Sequence, residues 1–282
     1  GPPGAFFKRL KLSAPMYLAS LFGASDLACK PEPPGAWLGL AAGLARDTSE
    51  ALQLIAQDRV TVNGAPVLNA ARQVHPRDQV AVVEVAQFVS RGGLKLDAAL
   101  NHFAQVGDAV AVASARVLDA GASTGGFVDC LLQRGAGQVV ACDVGRGLLH
   151  PKIAADQRVE VRDELNARDI GALIRAGALV GDFDLVVADL SFISLTLVAE
   201  SLVAATSKAG QLLVLVKPQF EATKAEVDKG AGVIIDDAIR QRCIAVVREA
   251  FVRHGVQPRG EVESAVAGPA GNREHWLRLT RE

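Results

Sequence analysis

The stretch Asp119-Ala-Gly-Ala-Ser-Thr-Gly-Gly-Phe127 has the glycine content of a loop whose backbone passes close to a ligand just before a helix begins. Its spacing is Gly-x-x-x-Gly-Gly, not the Gly-x-Gly-x-x-Gly of a dinucleotide loop, which disfavours a nicotinamide oxidoreductase. Asp119, at the end of the preceding strand, suits the amino group of a methionine moiety, whereas a pyrophosphate would gain nothing from an acid there. Gly121, Ser123, Thr124, Gly125, Gly126 and Phe127 are the candidate contacts within the loop. Asp143 closes the next strand, where a carboxylate accepts hydrogen bonds from ribose hydroxyls. Asn166 follows the third strand, where an adenine edge or its ribose is read; a plain turn residue is its other reading.

Four charged residues lie where an open α/β sheet gathers its ligands, at carboxyl ends of strands or in linkers. They are Lys95, Asp189 in Ala-Asp-Leu-Ser-Phe-Ile-Ser-Leu, Lys217 in Val-Lys-Pro-Gln-Phe-Glu, and Glu274 in Gly-Asn-Arg-Glu-His-Trp. Asp189 is placed to serve the cofactor as well. A turn-capping Asp189 and a solvated Lys217 before Pro218 are the bland alternatives. Phe192, Phe220 and Trp276 adjoin these residues and either pack in the core or stack on an extruded base.

The elements that must position these groups follow from periodicity. From Ala115 onward, short β-branched runs at residues 116–120, 138–143, 159–161, 184–189 and 211–216 alternate with helical stretches, which is a parallel sheet with crossover helices. Residues 259–266 and 275–280 read as a closing antiparallel pair, the mark of a methyltransferase-type sheet. Upstream, residues 36–44 and 47–56 have helical spacing, and Arg59-Val-Thr-Val-Asn-Gly64 is a strand entering a tight turn. A second strand pair, residues 67–68 and 79–85, completes this small module around the Pro76-Arg77-Asp78 turn. Between the two modules, Gly92-Gly93 is expected to act as a hinge before a helix that runs to about Phe103 and carries Lys95 on its first turn.

The chain has 282 residues, half of them hydrophobic, which suffices for one large and one small domain with buried cores. No apolar run reaches the roughly 18 residues that span a bilayer, so no membrane partner is expected. The only amphipathic candidate for a membrane-active role, residues 6–22, is interrupted by Pro15. Four cysteines without a Cys-x-x-Cys pair suggest neither zinc nor disulfides, and so a reducing, cytoplasmic setting. No ligand cluster suggests a metal. The formal charge of −1 supplies no global field for nucleic acid, so RNA binding must come from local basic patches.

Taken together, Ser90-Arg-Gly-Gly-Leu-Lys-Leu, Asp119 to Phe127, Ala188 to Leu195, Val216 to Glu221 and Gly268 to Trp276 closely resemble the TlyA family, also known as haemolysins. The resemblance covers roughly residues 36–282. It implies a Rossmann-like class I methyltransferase sheet, mostly parallel with an antiparallel last strand, preceded by a small S4-like α/β RNA-binding domain. The implied division is an extension over residues 1–34, expected to be poorly ordered, the S4-like domain over 35–87, a linker and first helix over 88–106, and an FtsJ-like domain over 107–282.

The implied activity is S-adenosylmethionine-dependent ribose 2′-O-methylation, with Lys95, Asp189, Lys217 and Glu274 as a catalytic tetrad and a cytidine of ribosomal RNA as substrate. The chemistry agrees with the tetrad. A ribose hydroxyl is a poor nucleophile near neutral pH, and its proton must leave as the oxygen attacks in line. Lysine can take that proton only when neutral, which burial or a cationic neighbour promotes from its ordinary pKa of about 10.4. Lys217 is the expected base, with Lys95 as the cationic neighbour, Asp189 orienting the base, and Glu274 orienting Lys95 or the ribose. The S4-like stretch is poor in basic residues, leaving Arg46, Arg59, Arg72 and Arg77, with Arg91 beyond it, for RNA phosphates. A non-catalytic RNA-binding or ribosome-assembly factor and a membrane-active haemolysin are the competing classes.

Overall fold

In the computed structural model the described residues are 5–9, 16–17, 54–55, 60–66, 73–74, 78–83 and 87–282. The chain divides into two units, residues 1–86 and residues 87–282.

In the first unit, β1 (Ala5–Arg9), β3 (Val60–Val62), β4 (Ala65–Pro66) and β6 (Gln79–Val83) form an antiparallel sheet in the order β1-β6-β3-β4. Strand β2 (Met16–Tyr17) pairs with β5 (Gln73–Val74). Asn63 and Gly64 both have positive φ, 54° and 82°, so the Asn-Gly signature makes a two-residue hairpin between β3 and β4. Leu54 and Ile55 are helical and, with Val60, Val62 and Val80, buried. The segment expected as an extension contributes β1 and β2. Strand β1 pairs with β6, far along the chain, and local periodicity carries no record of so distant a partner. The strand expected at residues 67–68, most of both expected helices, and Arg46, Arg59, Arg72 and Arg77 lie outside the described residues.

The second unit is built on seven strands: β7 (Arg116–Ala120), β8 (Gln138–Cys142), β9 (Val159–Arg162), β10 (Phe183–Ala188), β11 (Thr206–Val216), β12 (Val256–Glu263) and β13 (His275–Arg281). Their order is β12-β13-β11-β10-β7-β8-β9. Strands β7 to β11 pair in parallel, and β13 runs antiparallel to both β11 and β12. The central strands read as nearly continuous Val, Leu and Ala because both faces are covered. One face packs α1 (Gly92–Gln105) and α2 (Gly126–Gln133) through Leu96, Phe103, Phe127 and Trp276. The other packs α4 (Ile170–Arg175), α5 (Ala199–Ala205) and α8 (Asp237–Val252) through Ile170, Leu202 and Phe251. The short α3 (Pro151–Ala154), α6 (Pro218–Glu221) and α7 (Lys224–Lys229) fill connections.

The chain leaves β7 for β8 and β9 on one side, then returns to β10 and β11 on the other. That reversal opens a crevice at the carboxyl ends of β7 and β10. The helix bearing Lys95 belongs to the core of this second unit, since Leu96, Ala99, Leu100 and Phe103 pack under the sheet. Gly92 and Gly93 are the first two residues of that helix. Their small size serves close packing: a Cβ on Gly93 would lie 2.4 Å from Phe88, and one on Gly126 would lie 2.2 Å from Ser90 Oγ.

Candidate active site

Strand β7 ends in Asp119-Ala120, and the loop that follows turns back against the neighbouring strand. Gly121 has φ +89°, and a Cβ there would lie 2.2 Å from the Asp189 carbonyl oxygen, so only glycine allows the two strand ends to approach. Gly121 and Ala122 donate their N–H groups to the Cys142 carbonyl, and Ser123 N–H donates to Asp143 Oδ2 at 2.8 Å. The other Asp143 oxygen accepts from Gly145 N–H at 2.8 Å. Asp143 therefore braces the glycine loop and its own turn, while keeping lone pairs for hydroxyl donors.

Two cavities open on this edge. The smaller, about 270 Å³, is lined by Lys95, Asp189 and Lys217 together with Arg91, Gly121, Ser123, Thr124, Gly126, Phe127 and Ser191. The larger, about 870 Å³, is lined by Asp143, Asn166, Leu190, Phe192 and Phe220, and shares Gly121, Ser123, Asp189 and Ser191. Asn166 lines this cavity, and its Oδ1 accepts from Arg168 N–H at 3.0 Å, so the turn-residue reading holds. Gly125 takes φ +100° as the residue before α2.

Asp119 is fully buried beneath this edge, and neither of its carboxylate oxygens has a hydrogen-bond partner. Burial first, then the negative charges of Asp189 and Asp143, pushes its pKa well above the usual carboxylate range. A buried acid left without donors is costly, and a cationic amino group would relieve it. The residues present thus fit S-adenosylmethionine: an unpaired buried acid lies beneath the edge, although it lines neither cavity, and the larger cavity offers a carboxylate at Asp143 and apolar walls at Leu190 and Phe192.

The four charged residues form two ion pairs. Lys217 Nζ meets Asp189 Oδ1 and also donates to Ser191 Oγ at 3.1 Å. Lys95 Nζ donates to Glu274 Oε2 at 2.7 Å. The ladder between β11 and β13 explains how Glu274 arrives. Val216 pairs with His275, so Lys217 leaves one strand where Glu274 enters the other. Gly268 leaves room for the Glu274 carboxylate, since a Cβ there would lie 2.6 Å from Oε1. Glu274 is buried, and it lines neither cavity.

Of the aromatics, Trp276 is fully buried against Phe127, with ring centroids 5.5 Å apart. Phe192 is the opposite case: it is 90% exposed, has φ 62°, and leans on Phe220 with centroids 5.0 Å apart. Sequence reasoning assigned no role to Ser191, Gln219 or Glu221. The available signal was proximity, since each lies within four positions of Asp189 or Lys217.

A seven-stranded sheet of this order, with its ligand edge built from a strand-end acid and a glycine loop, defines a methyltransferase that uses S-adenosylmethionine as methyl donor. Comparison with known proteins agrees. Residues 88–281 match the FtsJ-like methyltransferase family, and residues 37–80 match the S4 domain. The 16S/23S rRNA (cytidine-2′-O)-methyltransferase TlyA of Mycobacterium tuberculosis is 43% identical over 239 residues, covering 84% of this chain and 85% of that protein. Hemolysin A of Brachyspira hyodysenteriae is 34% identical, covering 83% and 93%. Among solved structures, a candidate hemolysin of Lactococcus lactis superposes with a TM-score of 0.64 at 37% identity, covering 70% of this chain and 90% of that one. This chain belongs to the TlyA family of FtsJ-like methyltransferases. Among the described residues no helix is long and apolar enough to cross a membrane.

Proposed function

We propose that this protein methylates the 2′-hydroxyl of a cytidine in ribosomal RNA, with Lys217 as general base. The observation that carries this reading is the convergence of Lys95, Asp189 and Lys217 on one cavity bounded by the glycine loop. The activity of the M. tuberculosis relative, a 16S/23S rRNA (cytidine-2′-O)-methyltransferase, supports the substrate. An RNA of the ribosome or an assembled subunit is then the partner, and the cytoplasm the setting.

Bound S-adenosylmethionine supplies an electrophilic methyl on a positively charged sulfur. Asp119, Asp143 and Asn166, with the loop from Gly121 to Phe127, would hold it. Lys217 Nζ, once it has given up its own proton to become a neutral amine, takes the proton from the 2′-oxygen as that oxygen attacks, and Asp189 and Ser191 hold the amine in place. Lys95, fixed by Glu274, faces the same cavity and meets the substrate ribose. Phe192 offers its exposed ring to the extruded base. Arg91 at the cavity rim, together with Arg46, Arg59, Arg72 and Arg77, contacts phosphates.

The test compares the parent protein with Lys217→Ala, using labelled S-adenosylmethionine and purified small and large ribosomal subunits. Transfer by the parent that vanishes in the variant, with donor binding kept in both, is the expected result. Equal transfer by both would remove Lys217 as the base, and no transfer by either would remove ribosomal RNA as the substrate.

A further inference from the structure

We propose that Glu221 is a positioning residue for methyl transfer, setting the separation of the two loops that carry Asp189 and Lys217; this rests on the roles assigned above to those two residues. Strands β10 and β11 are held by their parallel ladder up to Ala188 and Val214. Beyond these positions the ladder between the two strands ends, and contacts made by side chains tie the two loops. Three ties are present. The first is the Asp189–Lys217 ion pair, with Ser191 on the same amine. The second is the Phe192–Phe220 ring contact.

The third is Glu221, whose two oxygens are used separately. Oε2 accepts from Ser194 Oγ at 2.6 Å, and Oε1 accepts from Leu195 N–H at 2.7 Å. Ser194 in turn caps the short turn Leu195–Leu197 and shares a hydrogen bond of 2.7 Å with Thr196 Oγ1. A single carboxylate thus fixes the far end of the loop that begins at Asp189. Burial raises the pKa of Glu221 even against these two hydrogen bonds, so the carboxylate is kept at a cost.

The lever arm is short. Helix α6 has four residues, with Lys217 as its N-cap and Glu221 as its last residue, so a shift at Glu221 reaches Lys217 within one turn. Phe192 gives independent support. A bulky residue with φ 62° and 90% exposure persists only if its surroundings hold it on both sides. Here Asp189 and Ser191 hold it through Lys217, and Ser194 and Leu195 hold it through Glu221.

The experiment measures methyl transfer to ribosomal subunits and calorimetric affinity for S-adenosylmethionine in Glu221→Ala, Glu221→Gln, Ser194→Ala and Lys217→Ala. Glu221→Ala is expected to lose roughly 10- to 100-fold in kcat, the scale of a misplacement near 1 Å, while keeping its affinity for the donor. Glu221→Gln is expected to recover most of the rate, because its amide oxygen still accepts from Leu195 and its NH₂ donates to Ser194 Oγ. Parent-like kcat in Glu221→Ala, with Lys217→Ala inactive, would overturn the positioning role and leave the base assignment standing. Parent-like transfer by Lys217→Ala would instead remove the base assignment on which the proposal rests. A loss confined to donor affinity would also overturn it, making Glu221 part of the cofactor crevice wall. Should Glu221→Ala fail to fold, Ser194→Ala decides: a smaller kcat loss supports the proposal and an unchanged kcat sinks it.

Discussion

Lys95 Nζ and Glu274 Oε2 lie 2.7 Å apart in the interior, although 179 positions separate the two residues along the chain. Each is the other's counter-charge, so removing either leaves an unpaired charge in a poorly hydrated place, Glu274 in the interior or Lys95 on the wall of the smaller cavity. Lys95→Met or Glu274→Gln alone is expected to destabilise the protein by about 3–5 kcal/mol. The double variant is expected to regain most of that stability and to remain inactive. Urea unfolding followed by fluorescence, with methyl transfer measured in parallel, checks both parts.

Asp119 makes stability and donor binding oppose each other. Its native pKa is raised, mainly by burial, so between the unfolded value near 3.8 and the native value the folded state binds more protons than the unfolded state. Stability therefore falls as pH rises through that window. Asp119→Asn is expected to flatten this dependence and raise Tm at neutral pH by roughly 2–4 °C, while weakening S-adenosylmethionine binding. In the parent, donor affinity is expected to rise with pH across the same window, because the cationic amino group favours ionised Asp119. Calorimetric titrations in buffers of different ionisation enthalpy would report proton release on binding, and its absence would count against the assignment.

Gly121→Ala places a methyl against the Asp189 carbonyl in a backbone conformation that suits glycine. A loss of about 1–3 kcal/mol is expected from strain alone, with a larger loss of donor affinity. A variant with parent-like Tm and affinity would show that the two strand ends can separate freely.

Phe192→Gly removes an exposed ring and relieves a left-handed residue. The relief of roughly 1–2 kcal/mol offsets the lost contact with Phe220, worth about 0.5–1.5 kcal/mol. Tm is expected to stay nearly unchanged while kcat/KM for the ribosomal substrate falls. A large Tm loss with parent-like kcat/KM would make Phe192 a structural residue.

Arg91 stands exposed at the rim of the smaller cavity. If it meets a phosphate, Arg91→Ala reduces the slope of log K against log salt for RNA binding by about one. An unchanged slope would take Arg91 out of the interface.

Much of this was legible from the chain before any coordinates. The β-branched runs at residues 116–120, 138–143, 184–189 and 211–216 announce a parallel sheet, because strands covered on both faces need continuous apolar residues. Asn63-Gly64 announces a hairpin for a similarly local reason, since each residue must take positive φ. The glycine spacing after Asp119 distinguishes a methyl-donor loop from a dinucleotide loop. Other features were hidden. The pairing of β1 with β6 leaves no local periodicity because the partners are far apart along the chain, and the close contact of Gly93 with Phe88 is not legible because glycine marks turns and close contacts alike.

By itself, then, the sequence determined the strands of the large sheet, the Asn63-Gly64 turn and the chemical groups, because these depend on residues within a few positions of one another. The pairing of the charged groups was decided only in three dimensions. The packing of α1 against the sheet brings Lys95 to Glu274, and the adjacency of β10 and β11 carries Asp189 to Lys217. Those partnerships depend on strand order and burial, and Coulomb attraction between buried groups acts over a few ångströms of space whatever the distance along the chain.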